Sequence, residues 1–450
     1  MLLYYFLVVT LPLMNERFLA HPLLGFTVEK WLGLACFFFA VVDWAIHRRP
    51  AAPFASAQTR AFLVFYLLAL VSFSTIPTHA PASMMLVYTS HLLFLLTTLL
   101  LVRTVERLRW AMLAAVGAMT IASLFVIREW LAGSALYGLS FRPGYVLGDA
   151  NYFTASILVV LPFAFYVFTE RRVRWERILC LSAIAITLWA VMLSASRGGF
   201  LGLVAAGLYL IARSRRRAFN LLGVTVLIAL ALALAPITPI QRFLHPTRGD
   251  QQSTQDRLVL WGAGLRMIAA HPLTGIGLDN FKAELPRYMP PGANIDFIAH
   301  STYIEIGASM GLPGLFAFLA ILGFTYFSLR RSRVRAQEIG AEWIYLTAAG
   351  LEAGMVGFGI AVFFLSAAFL KMLWFTVFIS AVLPTLLAQW EGVEDAPAAE
   401  PEAESAQASV WAIAEASSPL WSEASDSAWT WQSGETSVWA IPAGIEEPQK

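Results

Sequence analysis

The sequence predicts an all-α, polytopic transmembrane bundle of about twelve helices, and three observations carry that expectation. Hydrophobic residues make up 58% of the 450-residue chain and charged residues only 13%, against roughly 45–50% and about 25% in water-soluble domains. Uninterrupted apolar runs near twenty residues long recur along the chain, the length at which a helix crosses a bilayer. Lys and Arg gather in every second connection between these runs, the signature of loops kept on the cytoplasmic side. The formal net charge of +2 says little, because arrangement matters more than sum.

Hydropathy places the spans near 2–14, 26–46, 61–77, 84–102, 110–131, 151–169, 176–194, 198–212, 219–236, 301–329, 342–364 and 369–390. The opening MLLYYFLVVTLPLM has neither a basic leading segment nor a small-residue cleavage site, so it reads as the first span and not as a signal peptide. Cys36 and Cys180 fall inside apolar runs, which suggests neither a disulfide framework nor a thiolate metal site. The basic connections contain Arg48, Arg49 and Arg60; Arg103, Arg107 and Arg109; ERRVRWER (170–177); RSRRR (213–217); and RRSRVR (330–335). Together they hold more than half of the 31 Lys and Arg side chains, whereas PTHAPAS (77–83) has none. The alternation implies that both termini lie in the cytoplasm. It puts SASRGG (194–199), the long 237–300 connection and His300 on the outer face.

That connection is too long to be a passive link. Within it, Leu258, Trp261, Leu265 and Ile268 recur at helical spacing. Thr254 reads as the N-cap and HPLTGIG (271–277) as the stop, so an amphipathic helix lying on the outer membrane surface is expected. The transmembrane region is assigned to residues 1–390. Residues 391–450 carry twelve acidic side chains and one basic one, and are expected to be a disordered cytoplasmic tail. SVWAI occurs there twice, at 409–413 and 437–441, and would serve either as a tolerated appendage or as a docking motif for a cytoplasmic partner.

Candidate chemistry collects on the outer face. Arg197 would act as a snorkelling anchor, or as an anion ligand beside Gly198 and Gly199, whose small size admits a ligand close to backbone amides. Arg257 heads the amphipathic helix, with Arg266 nine residues on and only loosely on the same face. Two converging guanidiniums would each offer a planar fork to a diphosphate. His300 would anchor a helix end or, neutral near pH 7, take a proton from a hydroxyl. Glu305 lies about 140° around the helix from it, by ~100° per residue, and would pack or meet another helix. Asp149 and Asn151 stand where an N-cap or a polar contact to a head group or sugar is expected. No HExxH, GxSxG or P-loop occurs. Metal-dependent hydrolysis and ATP-driven transport therefore lose weight, and neither a cofactor nor a nucleic-acid partner is expected.

GDANYFTASILVVLPF (148–163), SASRGGFLGL (194–203), DRLVLWGAGLRMIAAHPLTGIGLDNF (256–281) and HSTYIEIGASMGLPGL (300–315), in this order, resemble the O-antigen ligase and polymerase family of bacterial inner-membrane proteins. The resemblance spans roughly residues 145–330. It implies inverting, metal-independent transfer of a glycan from undecaprenyl diphosphate on the periplasmic face. The acceptor would be a hydroxyl of the lipid A core, of another glycan (a polymerase) or of a protein. By resemblance Arg197 and Arg257 would neutralise the diphosphate, and His300 would activate or orient the acceptor hydroxyl. The reading from a different class is a transporter or flippase of an anionic solute or lipid. That reading calls for internal repeats and broken helices at the midplane, and no clear repeat is visible.

Overall fold

The computed structural model describes residues 1–13, 22–23, 26–47, 56–76, 83–137, 141–143, 149–213, scattered positions over 221–240, 244–293, 295, 297–394, 421–424 and 428–431. Fourteen α-helices are assigned here: α1 Leu2–Thr10, α2 Val28–His47, α3 Ala57–Thr75, α4 Ser83–Leu101, α5 Val105–Tyr137, α6 Ala150–Leu158, α7 Leu161–Glu170, α8 Arg174–Ser194, α9 Arg197–Arg213, α10 Arg248–Ala270, α11 Phe281–Tyr288, α12 Thr302–Glu338, α13 Glu342–Ala361 and α14 Lys371–Glu394. A 3-10 turn, Leu11–Leu13, prolongs α1, and another, Val362–Phe364, prolongs α13. Pro22–Leu23 and Phe26–Thr27 form a minimal antiparallel pair.

The molecule is a helical polytopic membrane protein. Among the described residues nine segments are long and apolar enough to cross a bilayer. The expected spans at 2–14 and 198–212 correspond to short helices. The expected ninth span, 219–236, lies largely outside the described residues, as do Arg48, Arg49, 77–82 and 215–217. The span expected at 151–169 is two helices, α6 and α7, broken at Val159–Val160. Pro162 starts the second, where a missing N–H costs least.

α13 is the hub, packing along α9, α12, α7 and α6. Its glycines are the reason. A Cβ on Gly354 would stand 2.2 Å from the Val159 carbonyl oxygen, and one on Gly350 would stand 2.3 Å from Phe163 Cα. Gly357 meets Gly202 of α9 backbone to backbone. Small residues at a crossing let membrane helices approach closely, and close approach replaces the hydrophobic drive that lipid removes. Beside this core α3, α4 and α14 are joined by aromatic rings, with Trp374 edge-on to Phe62 at 5.0 Å and Phe378 edge-on to Phe62 at 5.4 Å.

One end of the bundle is tied by charge. Glu176, fully buried at the start of α8, accepts from Arg109 at 2.8 Å and Arg171 at 2.7 Å. Arg171 also reaches Glu342. Both guanidiniums lie over the Trp343 ring, Arg109 at 5.4 Å and Arg171 at 5.0 Å from its centre. These are side chains from the basic connections, so several of those arginines are structural ties.

The opposite end carries the long connection. Its helix, α10, begins earlier than expected. Thr247, not Thr254, is the N-cap, closing a reciprocal capping box with Asp250, while the Thr254 hydroxyl donates to the Asp250 carbonyl at 2.9 Å. The expected apolar stripe also divides. Leu260, Ala263, Gly264 and Met267 are buried, whereas Leu258 and Leu265 are 61% and 58% exposed. The inward face therefore runs through the smaller residues, where Gly264 lets Ile304 of α12 come close.

The chain divides into two units, Met1–Glu391 and Gly392–Lys450. In the second, Trp421–Ala424 pairs antiparallel with Ala428–Trp431, Trp421 opposite Trp431. Beyond α14, this short strand pair is what is described of the segment expected to form the tail. Both SVWAI copies lie outside the described residues.

Candidate active site

The SASRGG turn builds the first wall. α8 stops because Ala195 adopts a left-handed conformation, φ 47°, reversing the chain so that α9 starts at Arg197. Ser196 locks the turn: its hydroxyl donates to Asn151 Oδ1 at 2.6 Å and accepts from the Gly199 amide at 3.2 Å. Asp149 N-caps α6, accepting from the Asn151 amide at 2.6 Å. Asp149 and Asn151 therefore have structural partners in addition to any ligand role. Gly199 is small because α6 needs the space; a Cβ there would lie 2.1 Å from Thr154 Cγ2. Its amide is taken by Ser196, and Gly198 rests against Phe364. Gly199 thus has a packing role beside any part it plays in binding.

Arg197 reaches towards α10, with Nη2 3.8 Å from Asp250 Oδ1. The same Asp250 belongs to the capping box, so the cap of α10 also fixes the arginine's counter-charge. Arg257, about two turns into α10, donates from Nη1 to the Phe364 carbonyl at 3.1 Å. Among the described residues its Nε is buried without a hydrogen-bond partner. A third guanidinium, unanticipated from the sequence, joins them: Arg142 donates from Nε to the Ser194 carbonyl at 3.2 Å. Burial lowers the basicity of Arg142 and Arg257, the neighbouring Arg197 lowers both further, and Asp149 opposes the effect. The three cations are gathered by neighbouring backbone, Arg142 on the Ser194 carbonyl and Arg257 on that of Phe364, against which Gly198 beside Arg197 rests; the space around them is called the basin. The signal for Arg142 was its location: an arginine in an outer connection runs against the positive-inside bias.

His300 borders the same basin. Burial is the main cause that holds its pKa below 6.5, Arg257 adds to it, and Asp149 acts oppositely. Nδ1 is buried with no hydrogen-bond partner among the described residues, and the ring lies 5.8 Å from Phe297, tilted by 35°. The backbone is left-handed, φ 50°. Ala195, Asp279 and His300 are the non-glycine residues of positive φ among the described residues, and two of them flank the basin. Strained backbone of this kind costs about 1–3 kcal/mol and concentrates at functional sites.

Two candidates stand apart. Arg266 is exposed on the far face of α10 and donates to the Tyr288 carbonyl at 2.7 Å, as its loose helical phase suggested. Glu305 lies in the second turn of α12 and lines a separate cavity.

HPLTGIG turns out to be a splice and not merely a stop. α12 breaks at Gly311 (φ 67°), and residues 272–277 fill the break. Ile276 N donates to Ala308 O at 2.8 Å, Gly277 N to Ser309 O at 3.1 Å, and Leu312 N to Pro272 O at 2.8 Å. The loop satisfies the backbone groups that the broken helix exposes. It thereby fixes α10, and Arg257 with it, against the start of α12 and His300.

Two comparisons with known proteins agree. The family profile described as "O-Antigen ligase" matches residues 182–319, which include the Arg197, Arg257 and His300 segments but not 148–163. A protein of Pseudomonas aeruginosa named O-antigen ligase is 29% identical over 308 residues, covering 65% of this chain and 71% of its own length.

Proposed function

We propose that the chain is a member of the O-antigen ligase family of multi-pass bacterial membrane proteins, acting in glycan transfer during lipopolysaccharide assembly, and that it moves a glycan from undecaprenyl diphosphate to an acceptor hydroxyl on the periplasmic side of the inner membrane. One observation carries the reading: Arg142, Arg197 and Arg257 are held close together by neighbouring carbonyls and Asp250, and the charge of Arg257 reaches His300.

The acceptor oxygen forms a bond to the anomeric carbon as that carbon parts from the diphosphate oxygen. Negative charge grows on the departing diphosphate, and guanidiniums held in place by carbonyls stabilise it without having to reorganise. The unpartnered Arg257 Nε is a donor available to a phosphate oxygen. The proton of the acceptor hydroxyl passes to His300, which is neutral at pH 7 because its pKa is held down. Attack from the face opposite the diphosphate inverts the anomeric centre. Fixed cations do the work a metal would otherwise do. Burial sharpens this, since charges interact more strongly in a medium less polar than water.

The test is reconstitution of the full chain in nanodiscs with undecaprenyl-diphosphate glycan and lipid A core acceptor. Transfer by wild type and its loss in Arg197→Ala, Arg257→Ala and His300→Ala, each still folded, is the expected result. Wild-type rates in all three variants would overturn the assignment.

A further inference from the structure

A cavity of about 140 Å³ is walled by α4, residues 278–282, α12 and residues 366–369. The chain on either side of His300 contributes to it through Ile298 and Thr302. At its wall Phe369 meets Tyr152 edge-on at 4.9 Å, and Tyr152 follows the Asn151 that holds the SASRGG turn. The Tyr152–Phe369 contact thus joins the cavity wall to the turn that precedes Arg197.

Two of its polar atoms lack partners. Among the described residues Glu305 Oε2 and Ser366 Oγ are buried without a hydrogen bond, and both residues line the cavity. Buried polar atoms are nearly always satisfied, and each one left unmade costs about 1–3 kcal/mol. The two side chains stand within reach of each other, so a guest entering the cavity can bridge both. The other lining groups mix apolar side chains (Met84, Tyr88, Met310, Phe369) with charged ones (Asp279, Lys282). Largely apolar walls with a few convergent polar groups describe a small-molecule site. The volume is about ten times the ~10–15 Å³ that one water needs, enough for the hydroxyl-bearing edge of one sugar ring.

We propose that this cavity is a saccharide subsite, in which Glu305 and Ser366 hydrogen-bond a hydroxyl of the acceptor sugar and present a neighbouring hydroxyl to His300. The inference rests on the glycosyl-transfer reading above. Glu305 and Ser366 are positioning residues: they hold the sugar, and the proton leaves through His300.

Saturation-transfer difference NMR on the full chain in nanodiscs, with methyl α-glucopyranoside and methyl α-galactopyranoside as probes, reads the subsite without any turnover. Wild type should transfer saturation to at least one of the two. Glu305→Gln and the milder Ser366→Ala should each reduce that signal at least fivefold, with folding checked by thermal unfolding, while Arg197→Ala retains it. Absence of signal in wild type, or an unchanged signal in both variants, would sink the subsite. Failure of the transfer reaction itself would show only in the reconstituted assay, where a surviving sugar signal leaves the subsite standing.

Discussion

At the residue scale, His300 and its two charged neighbours make opposing demands that titration can separate. The neutral imidazole is the base, so the rate rises as pH climbs through its lowered pKa and is flat at pH 7. Arg257→Gln removes a cation and should move the acid limb of the pH–rate profile upwards. Asp149→Asn removes the opposing carboxylate yet keeps a good N-cap, so it should move the limb down. A profile unmoved by either would mean that neither charge reaches the base. Removing a preorganised donor commonly costs about 10²–10³ in rate, so Arg197→Ala should fall by at least ~100-fold in transfer assays. Arg197→Lys should recover only part, since a point charge lacks the bidentate fork. Arg197, Arg257 and His300 were legible in the sequence because each stands out chemically within a greasy context. Arg142 was not singled out, and the phase of Arg266 left its role open until the fold placed it outside. A glycine pair next to a cation has two physical explanations, and the packing one for Gly199 became visible only through its neighbour Thr154.

At the element scale, the break in α12 explains why glycines punctuate HSTYIEIGASMGLPGL. Gly311 adopts φ 67°, and a Cβ there would meet the Pro272 carbonyl oxygen at 2.7 Å. Gly311→Ala should therefore lower the melting temperature and, by shifting the splice, also reduce transfer. Gly323→Ala in the same helix meets nothing within 4 Å, and should be neutral or stabilising by about 0.5–1 kcal/mol. Thermal unfolding in detergent distinguishes the two. Periodicity gave most helices but not their breaks. Thr254 was chosen as a cap because it directly precedes the apolar stripe, whereas the fold uses Thr247, whose partner Asp250 sits in an unremarkable polar stretch. The stripe itself divided because a helix between membrane and protein has two apolar surroundings, which hydropathy does not separate.

At the scale of the whole molecule, the two ends do different jobs. Glu176 gathers Arg109 and Arg171 at the end remote from the basin. Glu176→Ala would leave those guanidiniums without their buried partner. Removing one member of a buried pair costs about 3–5 kcal/mol, and the partial exposure of both arginines puts the loss at the lower end, readable as a lower unfolding midpoint with the His300 pH profile unchanged. Orientation has its own test: after replacing Cys36 and Cys180, a membrane-impermeant maleimide added to intact spheroplasts should label Gln252→Cys and spare Glu338→Cys. The reverse pattern would turn the molecule over. The bundle architecture was readable from hydropathy because lipid enforces it. The meeting of the outer segments was not, since no local pattern records which distant turn a loop will enter.

The hydrogen bond from Arg257 to the Phe364 carbonyl joins residues 107 positions apart. A ribosome has therefore synthesised and inserted every arginine of the basin long before the segment that clamps one of them emerges. A product stopped by a nonsense codon between those points would be a membrane protein carrying the whole cationic set with one fork unclamped. Because it would also lack all or part of α13, the hub of the bundle, such a truncate is expected neither to hold its cations together nor to retain a lipid diphosphate, so late nonsense codons should behave as complete losses.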